Sequence, residues 1–274
     1  MPQSFQHKKS LGQHFLNSDY VPKLMCDAAR LEAGGTVLEI GPGTGILTKE
    51  LLARGVRVIA VEADARAIAF LEETFPDAIA REELTLHHTD ARTLDLQALS
   101  LRDQAYKVVS NIPYYLSGSL LRQLLDTTTQ PNTLVFLIQK ELAERVARSK
   151  KESLLSLSVK VFGDPSYIGT IKRGHFTPPP RVDSAILAIT NINRNRLGSL
   201  SSETFFTILH LGFGSKRKQL LGNLSARWPR EALEALFSDL DLPLTIRAED
   251  VPLSTWIPLC THLSSPAFQQ QMHP

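Results

Sequence analysis

Short apolar runs alternate with helical patterns along the first two-thirds of the chain. The apolar runs cover residues 36–40, 56–61, 84–88, 107–111 and 133–139. We interpret these runs as strands. The segments between them place apolar residues three and four positions apart, which predicts helices. We therefore expect an α/β fold with a doubly wound, mostly parallel sheet.

Polar caps and glycines mark where the predicted helices begin and end. Ser18 or Asp19 is a candidate N-cap for a first helix that ends at Gly34-Gly35. A later helix is predicted over residues 63–75, directly after the second strand. In sheets of this kind, ligands bind beyond the carboxyl ends of the strands. The residues that follow each strand are therefore the first candidates for function.

The texture of the sequence changes near Asn191. The stretch NINRNRLGSLSS at 191–202 is polar and contains glycine, which predicts a linker. Leucine and phenylalanine at helical spacing follow it. We expect a catalytic domain over residues 1–190 and a small helical domain over residues 191–274.

Composition limits the class of protein. The chain has 274 residues, of which 43% are hydrophobic and 21% are charged, and its mean hydropathy is −0.08. These values exclude a disordered chain, and no apolar stretch approaches the roughly 20 residues of a membrane-spanning helix. Cys26 and Cys260 fit neither a disulfide framework nor a metal-binding spacing. We expect a soluble, cytosolic, monomeric protein without a metal site.

The net charge of +2 conceals a strong asymmetry along the chain. Residues 1–138 carry −3, residues 139–227 carry +9 and residues 228–274 carry −4. A basic block in a nearly neutral chain favours an anionic partner such as a nucleic acid. The alternative is a scatter of solvated lysine and arginine side chains.

A glycine-rich loop follows the first strand of the predicted sheet. Glycines stand at 41, 43 and 45, two residues after Glu39. The spacing differs from the GxGxxG dinucleotide motif because Ile46 stands where the third glycine belongs, which disfavours a nicotinamide-dependent oxidoreductase. The GxGxG pattern resembles the nucleoside-binding loop of class I S-adenosylmethionine-dependent methyltransferases. A strand-to-helix turn without a ligand is the alternative.

Two acids follow the next two strands. Glu62 stands at the end of the second strand, where a carboxylate can accept hydrogen bonds from both ribose hydroxyls. Asp90 follows the third strand, where its carboxylate can accept from an adenine amino group. Either acid alone is typical of an exposed side chain. Both in register after successive strands favour a nucleoside cofactor.

The loop Asn111-Ile112-Pro113-Tyr114 follows the fourth strand. It resembles the (D/N/S)-x-P-(Y/F/W) loop of methyltransferases that modify exocyclic or amide nitrogens. The nitrogen of an aromatic amine is a poor nucleophile because its lone pair is delocalised into the ring. The Asn111 side-chain oxygen and the Ile112 carbonyl can accept the two amino hydrogens, while Pro113 fixes the backbone and Tyr114 stacks on the base. The alternative is a simple turn built on Pro113.

Taken together, the motifs resemble one enzyme family over essentially the whole chain. LGQHFL, VLEIGPGTGILT, Glu62, Asp90, NIPYYLSG and FTPPPRVDSAIL occur in the order seen in rRNA adenine N6-dimethyltransferases, and the match is closest to the small-subunit (KsgA) type. The resemblance implies a class I methyltransferase fold and S-adenosylmethionine as cofactor. It also implies dimethylation of N6 on two adjacent adenosines in a 3′-terminal hairpin of small-subunit rRNA, as a step of ribosome biogenesis.

The resemblance also implies roles for individual residues. The cofactor would contact His14 and Leu16 of the N-terminal motif, together with Gly41, Glu62, Asp90 and Asn111. The loop from Asn111 to Tyr114 would hold the target adenine, and Phe176 would cover the other face of the base. From the residues alone, a core aromatic before a proline turn is the favoured interpretation of Phe176.

Basic residues flank this predicted site, and one stretch departs from the family. Lys172, Arg173 and Arg181 surround Phe176 in sequence, and a Lys216-Arg217-Lys218 triplet follows. We expect these side chains to contact a phosphate backbone. For the triplet, a solvated helix face is the alternative. Residues 154–159 read LLSLSV where family members often carry Tyr-Gly-Arg-Leu-Ser-Val. Two alternatives remain open, namely the related large-subunit enzyme of the macrolide-resistance type and a non-catalytic RNA-binding or transcription factor on the same fold.

Overall fold

The computed structural model describes residues 14–266 and 268, which divide into two compact units. The first unit contains the described residues up to Ala147 together with Gly163–Ile192. The second contains Arg148–Phe162 and the described residues from Asn193 onwards. This division differs from the boundary expected at residue 190, because Arg148–Phe162 belongs with the C-terminal helices.

The first unit is built on a seven-stranded sheet with a small two-stranded sheet beside it. Its strands are β1 (Phe15–Leu16), β2 (Thr36–Ile40), β3 (Arg57–Glu62), β4 (Leu84–His88), β5 (Lys107–Asn111), β6 (Thr133–Gln139), β7 (Asp164–Ile171), β8 (Phe176–Thr177) and β9 (Ser184–Thr190). The main sheet has the order β4-β3-β2-β5-β6-β9-β7, and β1 pairs with β8. The five strands β2, β3, β4, β5 and β6 are parallel, while β9 runs antiparallel to both β6 and β7. The predicted mostly parallel α/β sheet is confirmed.

Helices connect the strands of the first unit and make up most of the second. They are α1 (Tyr20–Ala29), α2 (Ile46–Ala53), α3 (Ala65–Thr74), α4 (Pro76–Ala80), α5 (Ser117–Leu125), α6 (Lys140–Ala147), α7 (Leu154–Lys160), α8 (Ser202–Gly212), α9 (Leu220–Leu224), α10 (Arg230–Asp239) and α11 (Leu253–Ser264). None of the described helices is long and apolar enough to cross a membrane.

Two predicted boundaries need correction. Helix α1 ends at Ala29 and not at Gly34-Gly35, because Arg30 turns into the left-handed region with φ of 47° and its N–H donates to the Asp27 carbonyl. Strand β3 includes Glu62 as its last residue, one position beyond the predicted end. Both differences follow from local backbone geometry that apolar periodicity does not report.

The centre of the sheet is apolar on both faces. The run from Leu134 to Ile138 in β6 is completely buried. Helix α1 covers part of the sheet with Val21, Met25 and Ala29, which are also buried. Burial of this kind supplies most of the free energy that holds an α/β sheet together.

The strand order reverses between β2 and β5, and this reversal places the candidate site. From β2 the chain continues to β3 and β4 on one side, and it then crosses to β5 on the other side. Regular pairing between β2 and β5 involves Val37 and Leu38. Further along, the Ile40 N–H donates to the buried Ser110 hydroxyl over 2.8 Å. The loops that leave β2 and β5 therefore start side by side and diverge, which opens a crevice.

Contacts with the later helices explain why Arg148–Phe162 belongs to the second unit. The Lys151 ammonium pairs with Glu249 just before α11. The Phe162 ring lies 6.2 Å from the Phe206 ring of α8, measured between centroids. Both contacts join residues that are far apart in sequence, and Lys151 and Glu249 are separated by 98 positions. A boundary drawn from the local sequence therefore misses them.

We expect Gly212→Ala in α8 to destabilise the second unit by about 1–3 kcal/mol through overpacking. A β-carbon at Gly212 would lie 2.5 Å from the Trp256 ring and 2.9 Å from a Leu220 methyl carbon. Gly222→Ala in α9 is the matched control, because a β-carbon there has no neighbour within 4 Å. It should leave the free energy of unfolding unchanged or raise it by up to about 1 kcal/mol. Urea unfolding measures both, and equal losses would contradict this packing.

Candidate active site

One cavity lies at the carboxyl ends of the parallel strands, and it gathers the residues that the sequence singles out. Its lining includes His14, Leu16, Gly41, Glu62, Asp90, Asn111, Ile112, Pro113, Tyr114 and Phe176. These residues come from segments that are far apart in sequence. The fold therefore brings every one of the predicted site residues to a single place.

The glycine-rich loop after β2 leaves room for a ligand. Gly41 has a φ of 70°, and a β-carbon built there would have no neighbour within 4 Å. Gly43 has a φ of 57°, and a β-carbon there would lie 2.6 Å from the Phe15 ring. Gly41 thus keeps the cavity wall open, and Gly43 lets β1 approach closely.

Glu62 presents a fixed carboxylate at the end of β3. One of its oxygens accepts from the Asp64 N–H over 2.9 Å, and the other accepts from the Gly43 N–H over 3.2 Å. Burial raises the pKa of Glu62, whereas these backbone hydrogen bonds oppose the rise. Each oxygen retains a second lone pair. The group can therefore accept two more hydrogen bonds in a fixed orientation.

Asp90 follows β4 and is already bonded to Arg92. Its carboxylate accepts from the Arg92 backbone N–H over 2.9 Å, and the guanidinium approaches to 2.6 Å. The Arg92 side chain holds the pKa of Asp90 below its ordinary value. An adenine amino group would therefore have to share the Asp90 oxygens with Arg92.

Arg92 is a cavity residue that the sequence motifs do not single out, although its spacing from Asp90 carries a signal. Arg92 lines the same cavity as Asp90. The same Asp-x-Arg spacing occurs at Asp64 and Arg66, and it gives the same contacts, with the backbone N–H and the guanidinium both donating to the aspartate two residues earlier. An aspartate that caps a turn holds such an arginine locally.

Asn111 is oriented by its side-chain nitrogen, and its side-chain oxygen remains available. The Asn111 amide donates to the His14 carbonyl over 3.4 Å. Within the described part of the chain, no donor contacts the Asn111 side-chain oxygen, and no backbone N–H reaches the Ile112 carbonyl. Pro113 follows with a φ of −56°, and its carbonyl accepts from Leu116 over 3.0 Å. Among the residues that the structure describes, the loop thus combines a rigid backbone with two acceptors that no protein donor occupies.

Tyr114 is held from two sides. Its ring stacks on that of His14 with centroids 5.9 Å apart, and its hydroxyl is 2.7 Å from the Ser184 hydroxyl. Burial raises the pKa of Tyr114. His14 is itself fixed by a contact of 2.8 Å between its Nδ1 and the Pro178 carbonyl.

Phe176 combines the two interpretations that the sequence left open. It is only 3% exposed and belongs to the main hydrophobic cluster, and it also lines the cavity. Strand β8 places it opposite Leu16 of β1. The ring is therefore a core residue that also forms part of the cavity wall.

Two further cavity residues were not singled out as site residues. Glu39 is completely buried in β2 and accepts from the Thr48 hydroxyl over 2.7 Å, and burial raises its pKa to about 8. Tyr115 also lines the cavity, and it is 64% exposed. Its position directly after the Asn111–Tyr114 loop was the available signal.

We expect Glu39→Gln to flatten the pH dependence of stability. The Glu39 carboxyl keeps its proton up to about pH 8 in the folded protein, against 4.5 for an ordinary glutamate. Its stabilising contribution is therefore complete below about pH 4.5 and is lost as the pH rises through about 8. Relative to wild type, the variant should gain about 1 kcal/mol for each pH unit between about 5 and 8. Urea unfolding across this range tests it, and a constant difference would contradict it.

Comparison with known proteins agrees with this geometry. Residues 4–259 match the family described as ribosomal RNA adenine dimethylase. A relative from Dehalococcoides mccartyi (strain CBDB1), named ribosomal RNA small subunit methyltransferase A, is 37% identical over 92% of this chain and 87% of its own. A relative of the same name from Synechocystis is 36% identical over 93% of this chain and 96% of its own.

Solved structures show the same fold. The 23S rRNA methyltransferase ErmE aligns with a TM-score of 0.73 at 23% identity, covering 92% of this chain and 100% of the other. A dimethyladenosine transferase from Plasmodium falciparum aligns with a TM-score of 0.77 at 23% identity, covering 91% and 97%. The predicted class I methyltransferase fold is thereby confirmed. The chain belongs to the ribosomal RNA adenine dimethylase family.

Proposed function

We propose that this protein transfers methyl groups from S-adenosylmethionine to N6 of two adjacent adenosines in a 3′-terminal hairpin of small-subunit rRNA. Because the chain belongs to this family, it is an S-adenosylmethionine-dependent rRNA adenine dimethyltransferase. The names of the relatives support the small subunit as the target. We further propose that the protein acts as a cytoplasmic monomer on the immature small subunit.

This proposal rests mainly on two acceptors in the loop after β5 that no donor among the described residues contacts. The Asn111 side-chain oxygen and the Ile112 carbonyl belong to residues that line the same cavity as Gly41 and Glu62. A nucleoside cofactor and an amino group can therefore meet at one place. Pairing in a helix hides the adenine amino group, so the target base must lie in a loop or be flipped out.

The residues present fit the cofactor chemically. Acidic groups line the cavity, including Glu62, Asp64 and Asp90, whereas Glu39 is protonated below about pH 8 and Arg92 is a cation among them. Such a lining suits a sulfonium, which is positively charged and lacks phosphates. Glu62 would accept from the ribose hydroxyls, and Gly41 leaves space beside the chain. When bound, S-adenosylmethionine supplies an electrophilic methyl group.

Other proposed cofactor contacts are less directly expressed in the geometry. His14 and Leu16 lie on the cavity wall. The His14 carbonyl accepts a hydrogen bond from Asn111, and Leu16 pairs with Phe176 between β1 and β8. Asp90 would accept from the adenine amino group of the cofactor beside Arg92. These assignments follow from the resemblance to the family, with the shared cavity as their structural support.

The target amine is activated by positioning. Asn111 and Ile112 accept its two hydrogens, which draws the nitrogen towards a tetrahedral shape and frees its lone pair for the methyl group. Pro113 keeps the Ile112 carbonyl in place, and Tyr114, held by Ser184 and His14, offers a ring for the base. Phe176 would close the opposite side. Rate enhancement then comes from orientation and electrostatics rather than from a nucleophilic side chain.

The same arrangement accommodates a second transfer. After one methyl group has been added, the nitrogen loses one proton to solvent and retains one hydrogen, and a fresh molecule of S-adenosylmethionine must replace the demethylated cofactor. One of the two acceptors, Asn111 or Ile112, still engages it, so the monomethylated base can be held in a similar orientation. Dimethylation therefore needs no additional group in the site.

The second unit offers a basic surface for the RNA. Lys216, Arg217 and Lys218 are exposed in the connection between α8 and α9, and not on the helix face that the sequence allowed as an alternative. The Asn223 side chain donates to the carbonyls of Gly212 and Ser215, which fixes this loop. We propose that the helical region at residues 191–274 contacts the phosphates of the rRNA through this loop.

We expect Asn111→Ala to lower methyl transfer at least 100-fold, because the substitution removes one of the two acceptors that orient the amine (about 2.7 kcal/mol or more by analogy with a lost transition-state hydrogen bond). Binding of S-adenosylhomocysteine should weaken far less than methyl transfer falls, because the other cofactor contacts remain, and the thermal transition should stay close to wild type. Labelled methyl transfer to unmethylated small subunits is the measurement.

Asn132→Ala is the matched control for this variant. Asn132 directly precedes β6, at the amino end of the strands, and its side chain donates to the Gln104 carbonyl. It should retain wild-type turnover. Near-normal turnover by Asn111→Ala would mean that other groups hold the target nitrogen. Methylation of large-subunit RNA alone would favour the macrolide-resistance type of enzyme.

A further inference from the structure

A second, shallower depression lies outside the cavity on the first unit. It is lined by Lys172, Arg173, Arg181 and Asp183. The three cations are exposed, and they outnumber the single acid. An open, cationic depression suits a polyanion better than a small apolar ligand.

We propose that this depression binds backbone phosphates of the RNA strand next to the target adenosine. The inference rests on the proposed function, because it takes RNA to be the substrate. It adds a subsite on the catalytic unit itself, separate from the Lys216–Lys218 loop of the second unit.

Among the described residues, two of the three cations of the depression pair with no acid. The Lys172 ammonium pairs with Asp183 over 3.0 Å. Neither the Arg173 nor the Arg181 guanidinium has an ion-pair partner in the described part of the chain. A guanidinium can donate two parallel hydrogen bonds to one phosphate, which makes a free arginine the better phosphate ligand here.

Hydrogen bonds connect this depression to the Tyr114 ring. The Asp183 carboxylate accepts from the Arg173 backbone N–H over 3.1 Å. The next residue, Ser184, places its hydroxyl 2.7 Å from the Tyr114 hydroxyl. The group that orients the arginine segment is therefore adjacent in sequence to the group that fixes the aromatic ring of the catalytic loop.

The chain also limits how far the two sites can lie apart. Arg173 precedes Phe176 by three residues, so their α-carbons are separated by at most about 11 Å. Phe176 lines the cavity that would receive the target base. Phosphates held at Arg173 would therefore belong to nucleotides close to the flipped adenosine.

Contacts of this type position the nucleic acid without reading its sequence. A strand clamped at Arg173 and Arg181 would present a particular nucleotide to Asn111. The depression would thereby contribute to the choice of adenosine through the register of the backbone, while Asn111 and Ile112 recognise the amino group.

The test is the double variant R173Q/R181Q, studied as the full chain with S-adenosylhomocysteine present. Its affinity for an unmethylated RNA hairpin from the 3′ end of small-subunit rRNA is measured over a range of salt concentrations. We expect affinity at low salt to fall on the order of tenfold, and the slope of log affinity against log salt to become shallower by about 1.4, the value for two single-strand phosphate contacts.

The variant R57Q/R102Q is the matched control. Arg57 begins β3 and Arg102 precedes β5, so both lie towards the amino ends of the strands, opposite the cavity, and both are exposed. The same two charges are lost, yet affinity should change less than twofold. Equal losses in the two variants, or no loss in R173Q/R181Q, would overturn the proposal.

A charge-preserving variant separates charge from geometry. R173K/R181K should keep the salt slope of wild type and regain most of the affinity, because lysine still neutralises phosphate as a point charge. A salt slope as shallow as that of R173Q/R181Q would contradict phosphate binding at these positions.

Failure of the proposed function gives a different pattern. If wild-type protein binds the hairpin but leaves assembled small subunits unmethylated, the proposed function fails while the affinity series still reports on the depression. If wild type methylates the subunits and R173Q/R181Q binds the hairpin as tightly as wild type, only the phosphate subsite is wrong.

Discussion

A single buried hydrogen bond marks the point on which the site depends. The Ile40 N–H donates to the Ser110 hydroxyl where β2 and β5 cease regular pairing. It ties the last residue of one strand to the residue before Asn111. The glycine loop and the Asn111 loop consequently start from adjacent, fixed positions although 70 residues separate Ile40 from Ser110. The cofactor side and the substrate side of the cavity are set by the same pair of strands.

The chemistry that follows is one of placement. Glu62 is oriented by two backbone N–H groups, Asn111 by the His14 carbonyl and Tyr114 by Ser184. Each functional group is thus held through one set of contacts while another set of lone pairs or one ring face is left for the ligand. Such preorganised groups need little rearrangement when charge shifts during transfer, which is how positioning lowers a barrier.

Local patterns predicted the parts of the fold that are determined locally. The runs at 36–40, 107–111 and 133–139 coincide with β2, β5 and β6, whose central apolar residues are buried. The run at 84–88 coincides with β4, which lies at the edge of the sheet and buries only Leu84. Strands β7 and β9, and the grouping of Arg148–Phe162 with the later helices, depend on antiparallel pairing and long-range contacts that periodicity does not carry. The cavity residues were predictable as strand-end positions, and the spacing of Asp90 and Arg92 carries a local signal for their contact, whereas the burial of Glu39 required three-dimensional information.

We propose that the residues at the strand ends direct methyl groups to the amino nitrogen of adenine in small-subunit rRNA. The most direct measurement incubates the protein with methyl-labelled S-adenosylmethionine and unmethylated small subunits, followed by nucleoside analysis and mapping of the label. We expect N6,N6-dimethyladenosine at two adjacent positions in the 3′-terminal hairpin. Label on another atom or base, or subunits that remain unlabelled, would contradict it.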